Sequence, residues 1–150
     1  MTKNDSRTIA IELFGRVQAL FPHLQMKLET DHPHVDINME IPKQRGLDFD
    51  VNLNLQNNDE LHLSAGDFWV EWFPCTEPRK VKEYLAAVEG LMTGQYRILE
   101  HRRGRKAVKA ELQQPVGQNW QTIATWSTLR LPSFKRISFT VIRNEGALNK

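Results

Sequence analysis

The stretch that decides the fold is residues 35–73, VDINMEIPKQRGLDFDVNLNLQNNDELHLSAGDFWVEWF. Val35, Ile37, Met39 and Ile41 alternate with Asp36, Asn38 and Glu40. After Pro42-Lys43-Gln44-Arg45-Gly46 the alternation resumes, with Leu47, Phe49, Val51, Leu53 and Leu55 set against Asp48, Asp50, Asn52, Asn54 and Gln56. A period of two over this length predicts antiparallel strands with one face in the core and one in water. A loop from Pro42 to Gly46 pairs Ile41 with Leu47, Met39 with Phe49 and Ile37 with Val51, which keeps both apolar sets on one face. The same register sets Glu40 opposite Asp48 and Asn38 opposite Asp50. Like charges across a ladder destabilise it, so Asp36, Glu40, Asp48 and Asp50 mark either a solvated face or a surface for a cation or a basic partner.

Farther along, Gln56-Asn57-Asn58-Asp59 and Ala65-Gly66-Asp67 are turns around a short strand from Glu60 to Ser64. Phe68-Trp69-Val70-Glu71-Trp72-Phe73 is apolar on both faces, so it is either a central strand covered on both sides, the favoured reading, or one that exposes an aromatic patch. Burial among these rings would raise the pKa of Glu71 and make it a candidate acid or base.

Working outward, Ala10, Leu13, Phe14, Val17, Leu20 and Phe21 recur at helical spacing from Ser6 until Pro22 ends the run. Residues 1–5 read as a frayed end. Leu24 to Thr30 reads as a short strand and Asp31-His32-Pro33-His34 as a turn, since two close histidines fall short of the three or four ligands zinc needs. A second helix opens at Thr76-Glu77-Pro78, carries Val81, Tyr84, Leu85, Val88, Leu91 and Met92 on one stripe, and is capped by Gly94. The last third is strand-like: 96–100 and 107–112 flank a basic tip at Gly104, pairing Ile98 with Ala110 and Glu100 with Val108. Glu100, an acid at a core-facing position, needs a partner or a raised pKa. Strands at 119–129 and 134–143 follow, and 144–150 reads as a tail.

The expected architecture is one α+β domain over residues 1–150. It has a largely antiparallel, curved sheet of about eight strands, with two amphipathic helices packed on one face in the order α-β4-α-β4.

The chain has 150 residues, 40% hydrophobic and 25% charged, with a net charge of +2. That balance is ordinary for a globular domain and well short of a dedicated nucleic-acid binder. No apolar run approaches the ~20 residues of a membrane span, the first residues lack a signal-peptide core, and one cysteine rules out an intrachain disulfide. A reduced, cytoplasmic setting is expected. No phosphate loop, dinucleotide fingerprint, nucleophile elbow or zinc-protease motif occurs, so no cofactor, metal or catalytic residue is assigned. Cys75 precedes a helix start but has no histidine placed beside it in sequence.

The composition therefore favours a binding or interaction module without catalytic activity, of an adaptor, chaperone-like or toxin-neutralising kind. Its partner-binding residues are the acidic face and the basic tip at Arg102, Arg103, Arg105 and Lys106. The alternative is a small-molecule binder or enzyme. Its pocket would be lined by Phe68, Trp69, Trp72, Tyr84, Trp120 and Trp126, with Glu71 or Glu100 as the polar group. A weak nucleic-acid contact through the basic hairpin ranks third, because no aromatic platform flanks the tip.

Overall fold

Ala10, Leu13, Phe14 and Val17 are buried along one side of α1 (Lys3–Leu20), as the three- and four-residue spacing requires. In the computed structural model, which describes residues 3–128 and 135–147, this helix begins at Lys3, earlier than Ser6. Ser6 is itself buried. Five strands follow: β1 (Lys27–Glu29), β2 (Ile37–Ile41), β3 (Val51–Gln56), β4 (Glu60–Ala65) and β5 (Phe68–Trp72). They form an antiparallel meander in the order β1-β2-β3-β4-β5.

Helix α2 (Pro78–Thr93) has proline in its first turn and ends on Gly94, whose φ of 79° is open to glycine without strain. After it come β6 (Arg97–Arg103), β7 (Lys106–Val116), β8 (Asn119–Ser127) and β9 (Ile137–Ile142), then a short 3-10 turn at Glu145–Ala147. These four strands form a second antiparallel sheet in the order β8-β7-β6-β9.

The fold is α+β with antiparallel sheet. The nine strands among the described residues are divided between a five-stranded and a four-stranded sheet, against an expectation of about eight strands in one. The division falls at β5, which was expected to be central. It is instead the last strand of the first sheet, and it touches β7 and β8 of the second without joining them.

One core unites the layers. α1 packs on β2 and β3, α2 packs on β5 and β6, and the helices touch each other. Their apolar stripes meet Ile37, Met39, Ile41, Leu53, Leu55, Leu61 and Leu63 of the first sheet and Ile98, Ala110 and Leu112 of the second.

Two registers differ from those read in the sequence. Ile41 pairs with Val51, Met39 with Leu53 and Ile37 with Leu55, so the loop spans residues 42–50. Asn52 and Asn54, and not Asp48 and Asp50, therefore stand opposite Glu40 and Asn38. In the other hairpin Ile98 pairs with Leu112 and Glu100 with Ala110, two positions from the expected register: Arg103 pairs with Lys106 across a two-residue turn, which moves the ladder by one, and a bulge between His101 and Arg102 moves it by one more. A bulge adds one residue to one side of the ladder and moves every pair beyond it.

Candidate functional site

The six aromatics do not come together on one surface. Phe68 and Tyr84 are fully buried, and Trp72 packs edge-on against Tyr84 with ring centroids 5.5 Å apart. The Tyr84 hydroxyl donates to the His62 carbonyl at 2.7 Å, and burial pushes its pKa well above the usual value. Trp126 packs against the core from β8. Trp69 projects from the opposite face of the first sheet, 49% exposed, and Trp120 from the far face of the second. Glu71 is exposed on the same face as Trp69. Cys75 is buried, which raises its thiol pKa, and a hydrogen bond with Ser6 only partly offsets this. Such a thiol is not activated as a nucleophile.

The acidic set is likewise dispersed, and three of its four members serve the loops. Asp36 Oδ2 accepts from the Asn58 backbone N–H at 3.0 Å, and Asp50 Oδ1 accepts from that of Lys43 at 2.7 Å. Asp48 Oδ2 accepts from the Gly146 N–H at 2.9 Å. Glu40 is exposed opposite Asn52 and Lys27. Among the described residues no three side chains of His, Cys, Asp or Glu converge as a metal would need, and His32 instead accepts from the His34 N–H at 3.1 Å.

Glu100 is 4% exposed and has its partner. Arg102 Nη1 donates to Glu100 Oε1 at 2.9 Å, and the Asp67 N–H approaches Oε2 at 3.3 Å. Arg102 is thus spent inside the fold, also holding the Arg105 carbonyl. Arg105 and Lys106 remain exposed at the hairpin tip, with Arg103 half-buried beside them.

The tip borders an exposed strand, β9. Among the described residues β9 pairs only with β6, so its other edge is open. From Ile137 to Val141 it is also exposed on both faces, with Phe139 62% exposed, Val141 48%, and Ser138 and Thr140 exposed too, while Ile142 packs against the core. Ile137, Phe139 and Val141 share the outer face with Leu99, His101 and Arg103 of β6.

Basic groups stand at both ends of this strip. At one end Arg103 lies opposite Ile137, and Lys135 reaches the Gly104 turn. At the other, Arg97 and Arg143 both lie over the Trp120 ring, with guanidinium carbons 4.3 and 5.4 Å from its centroid. Arg97 Nε is tied to Gln113 Oε1 at 2.8 Å and Arg143 Nε to the Gly94 carbonyl at 2.6 Å. Neither guanidinium has a carboxylate partner among the described residues. Sequence reading missed Phe139, Val141 and Arg143. The available signal was a six-residue run free of charge, proline and glycine, lying between Arg136 and Arg143.

Between the two ends sits a polar cluster. His101 Nε2 and Glu111 Oε2 are 2.7 Å apart, Thr122 donates to Glu111 Oε1 at 3.2 Å, and Phe139 packs edge-on against the His101 ring. Burial alone would raise the Glu111 pKa. The bonds from His101 and Thr122 and the charge of Lys109 outweigh it and hold the carboxyl below its usual 4.5. A depressed carboxyl contributes stability that is present above its unfolded value and lost as pH falls through the folded one. Glu111→Gln is therefore expected to lower the urea midpoint at about pH 6, with the gap to the parent closing toward about pH 3. A gap that stays constant over that range would contradict the assignment.

Comparison with known proteins finds no family model, curated protein or solved structure that matches this chain.

Proposed function

We propose that the protein is a non-catalytic interaction module that takes up an extended segment of a partner protein along the open edge of β9. The partner segment carries alternating apolar residues with acidic residues at both ends. The observation that carries this reading is the exposure of Ile137 to Val141 on both faces of a strand whose other edge has no partner among the described residues. Ile-Ser-Phe-Thr-Val-Ile has high strand propensity and no charge, and natural proteins rarely leave such an edge bare, because it pairs with whatever strand it meets.

Added-strand binding uses that tendency: the backbone supplies affinity and alternate side chains supply selectivity. Phe139 and Val141 offer the apolar contact. The choice of an acid-flanked partner follows from charge. Arg103, Lys135 and Arg136 stand at one end of the strip and Arg97 and Arg143 at the other, roughly 20 Å apart at the rise of an extended chain. A second copy pairing antiparallel through β9 would bring these basic ends together, which disfavours it.

The test is a synthetic peptide of alternating valine and threonine with glutamates at both ends, read by fluorescence anisotropy. It is expected to bind more tightly than the same peptide with lysines at its ends, and to weaken as salt rises. Val141→Lys is expected to cut affinity by at least about tenfold, or about 1.4 kcal/mol. Equal binding of the two peptides, or none by either, would contradict the proposal.

A further inference from the structure

The outer face of the first sheet holds a polar row that crosses four strands. Asn38, Asn54, His62 and Glu71 are direct cross-strand neighbours, and the adjacent row is Glu40, Asn52, Ser64 and Trp69. The amides form a directed chain: Asn54 Nδ2 donates to Asn52 Oδ1 at 2.8 Å, and Asn52 Nδ2 donates to Asn38 Oδ1 at 2.9 Å. Asn54 Oδ1 is left over at its start, buried and without a hydrogen-bond partner.

His62 ends in the same condition. Trp69 Nε1–H donates to His62 Nδ1 at 2.7 Å. An indole N–H can only donate, so Nδ1 holds a lone pair and the neutral ring carries its proton on Nε2. That second nitrogen is buried and has no hydrogen bond, although Glu60 Oε1 lies 3.3 Å away. Asn54 and His62 are 7% and 3% exposed and stand directly opposite each other in the ladder. Asn54 Oδ1 and His62 Nε2 are thus buried polar atoms of facing residues with no hydrogen bond, Nε2 having only the Glu60 carboxylate at 3.3 Å, and a buried polar group left without a hydrogen bond costs about 1–3 kcal/mol.

We propose that this face binds a neutral carbohydrate. One sugar hydroxyl accepts from His62 Nε2–H and donates to Asn54 Oδ1, while the sugar ring lies against the exposed part of the Trp69 indole. A hydroxyl is the small group that both donates and accepts, which matches the pair. The Glu60 carboxylate gives way to it and turns to solvent. A groove of about 580 Å³ lies one row away, lined by Glu40, Asp50, Asn52 and Ser64 together with Ile41, Pro42, Val51, Ala65 and Gly66; it does not include Asn54, His62 or Trp69, and Asn52 and Ser64 are the cross-strand row next to them.

Charge and tautomer narrow the class. Glu29, Glu40, Glu60 and Glu71 outnumber Lys27 on this face, which disfavours an anion. The proton on Nε2 removes that nitrogen as a metal ligand.

The experiment records nitrogen–proton correlation spectra while titrating the methyl glycosides of glucose, galactose, mannose and N-acetylglucosamine. At least one is expected to shift the Trp69 indole and the Asn54 side-chain amide saturably, with an effect lost in Trp69→Ala. Asn54→Val removes the unused acceptor from a strand that suits valine. It also removes the bond to Asn52 Oδ1, and is expected to abolish the sugar response in a protein whose remaining amide spectrum still shows the native fold. No saturable shift with any of the four sugars would overturn the proposal. So would a shift that survives both substitutions, or a response at these residues to phosphate or magnesium alone.

Discussion

Asn144→Ala is expected to lower the unfolding free energy by about 3 kcal/mol, measured by urea denaturation. Asn144 is fully buried, and its side chain joins three separate segments. Its Nδ2 donates to the Met92 carbonyl at 2.6 Å, at the end of α2, and to the Gly46 carbonyl at 2.9 Å, in the 42–50 loop. Its Oδ1 accepts from the Asp48 N–H at 3.0 Å. Alanine strands all three backbone groups, and each orphaned buried group costs about 1–3 kcal/mol, less whatever water recovers. Asn144→Asp should be no better, because a carboxylate would face two carbonyl oxygens. A loss below about 1 kcal/mol would show that the 42–50 loop holds without the clamp.

The second large effect lies at the centre of the first sheet. Leu53→Ala is expected to cost about 2–5 kcal/mol, because Leu53 is fully buried between its cross-strand neighbours Met39 and Leu63, which are fully buried too. The neighbouring Asn52 points to the opposite face and is half-buried, so Asn52→Ala is expected to cost about 1 kcal/mol, the net worth of its hydrogen bonds. The ordering of this pair, measured under one condition, checks which face is core. Equal costs would contradict the two-faced sheet.

Alternation of apolar and polar residues revealed which residues face inward but not which residues face each other. The β2–β3 pairing lies four positions away from the expected one, an even number, so every side chain stays on its face and the pattern cannot tell the two registers apart. What selects the longer loop is non-local or specific to atoms. Gln44 and Leu47 exchange backbone hydrogen bonds within the loop, and Asn144 grips it from the far end of the chain. The same limit hid the bulge at His101 and Arg102, which gives Glu100 a place beside Arg102 and the Asp67 N–H.

The split into two sheets was hidden for a related reason. Strand periodicity says nothing about which edges join, and α2 sits between β5 and β6 in sequence. The aromatic residues around Trp69 look like a pocket wall when read as a run. Strand alternation sends Phe68, Val70 and Trp72 inward and Trp69 and Glu71 outward. The basic tip was legible as charge. That it borders the bare edge of β9 depends on the β6–β9 pairing, between segments about 40 residues apart, which only the fold supplies.

The measurement that bears most directly on the interaction reading is amide hydrogen exchange along Ile137–Ile142, with and without the glutamate-ended peptide. An added strand hydrogen-bonds only the groups on its side of β9, so alternate amides are expected to slow while those already bonded to β6 change little. Protection that spares β9, or that appears on the polar face of the first sheet instead, would contradict the account.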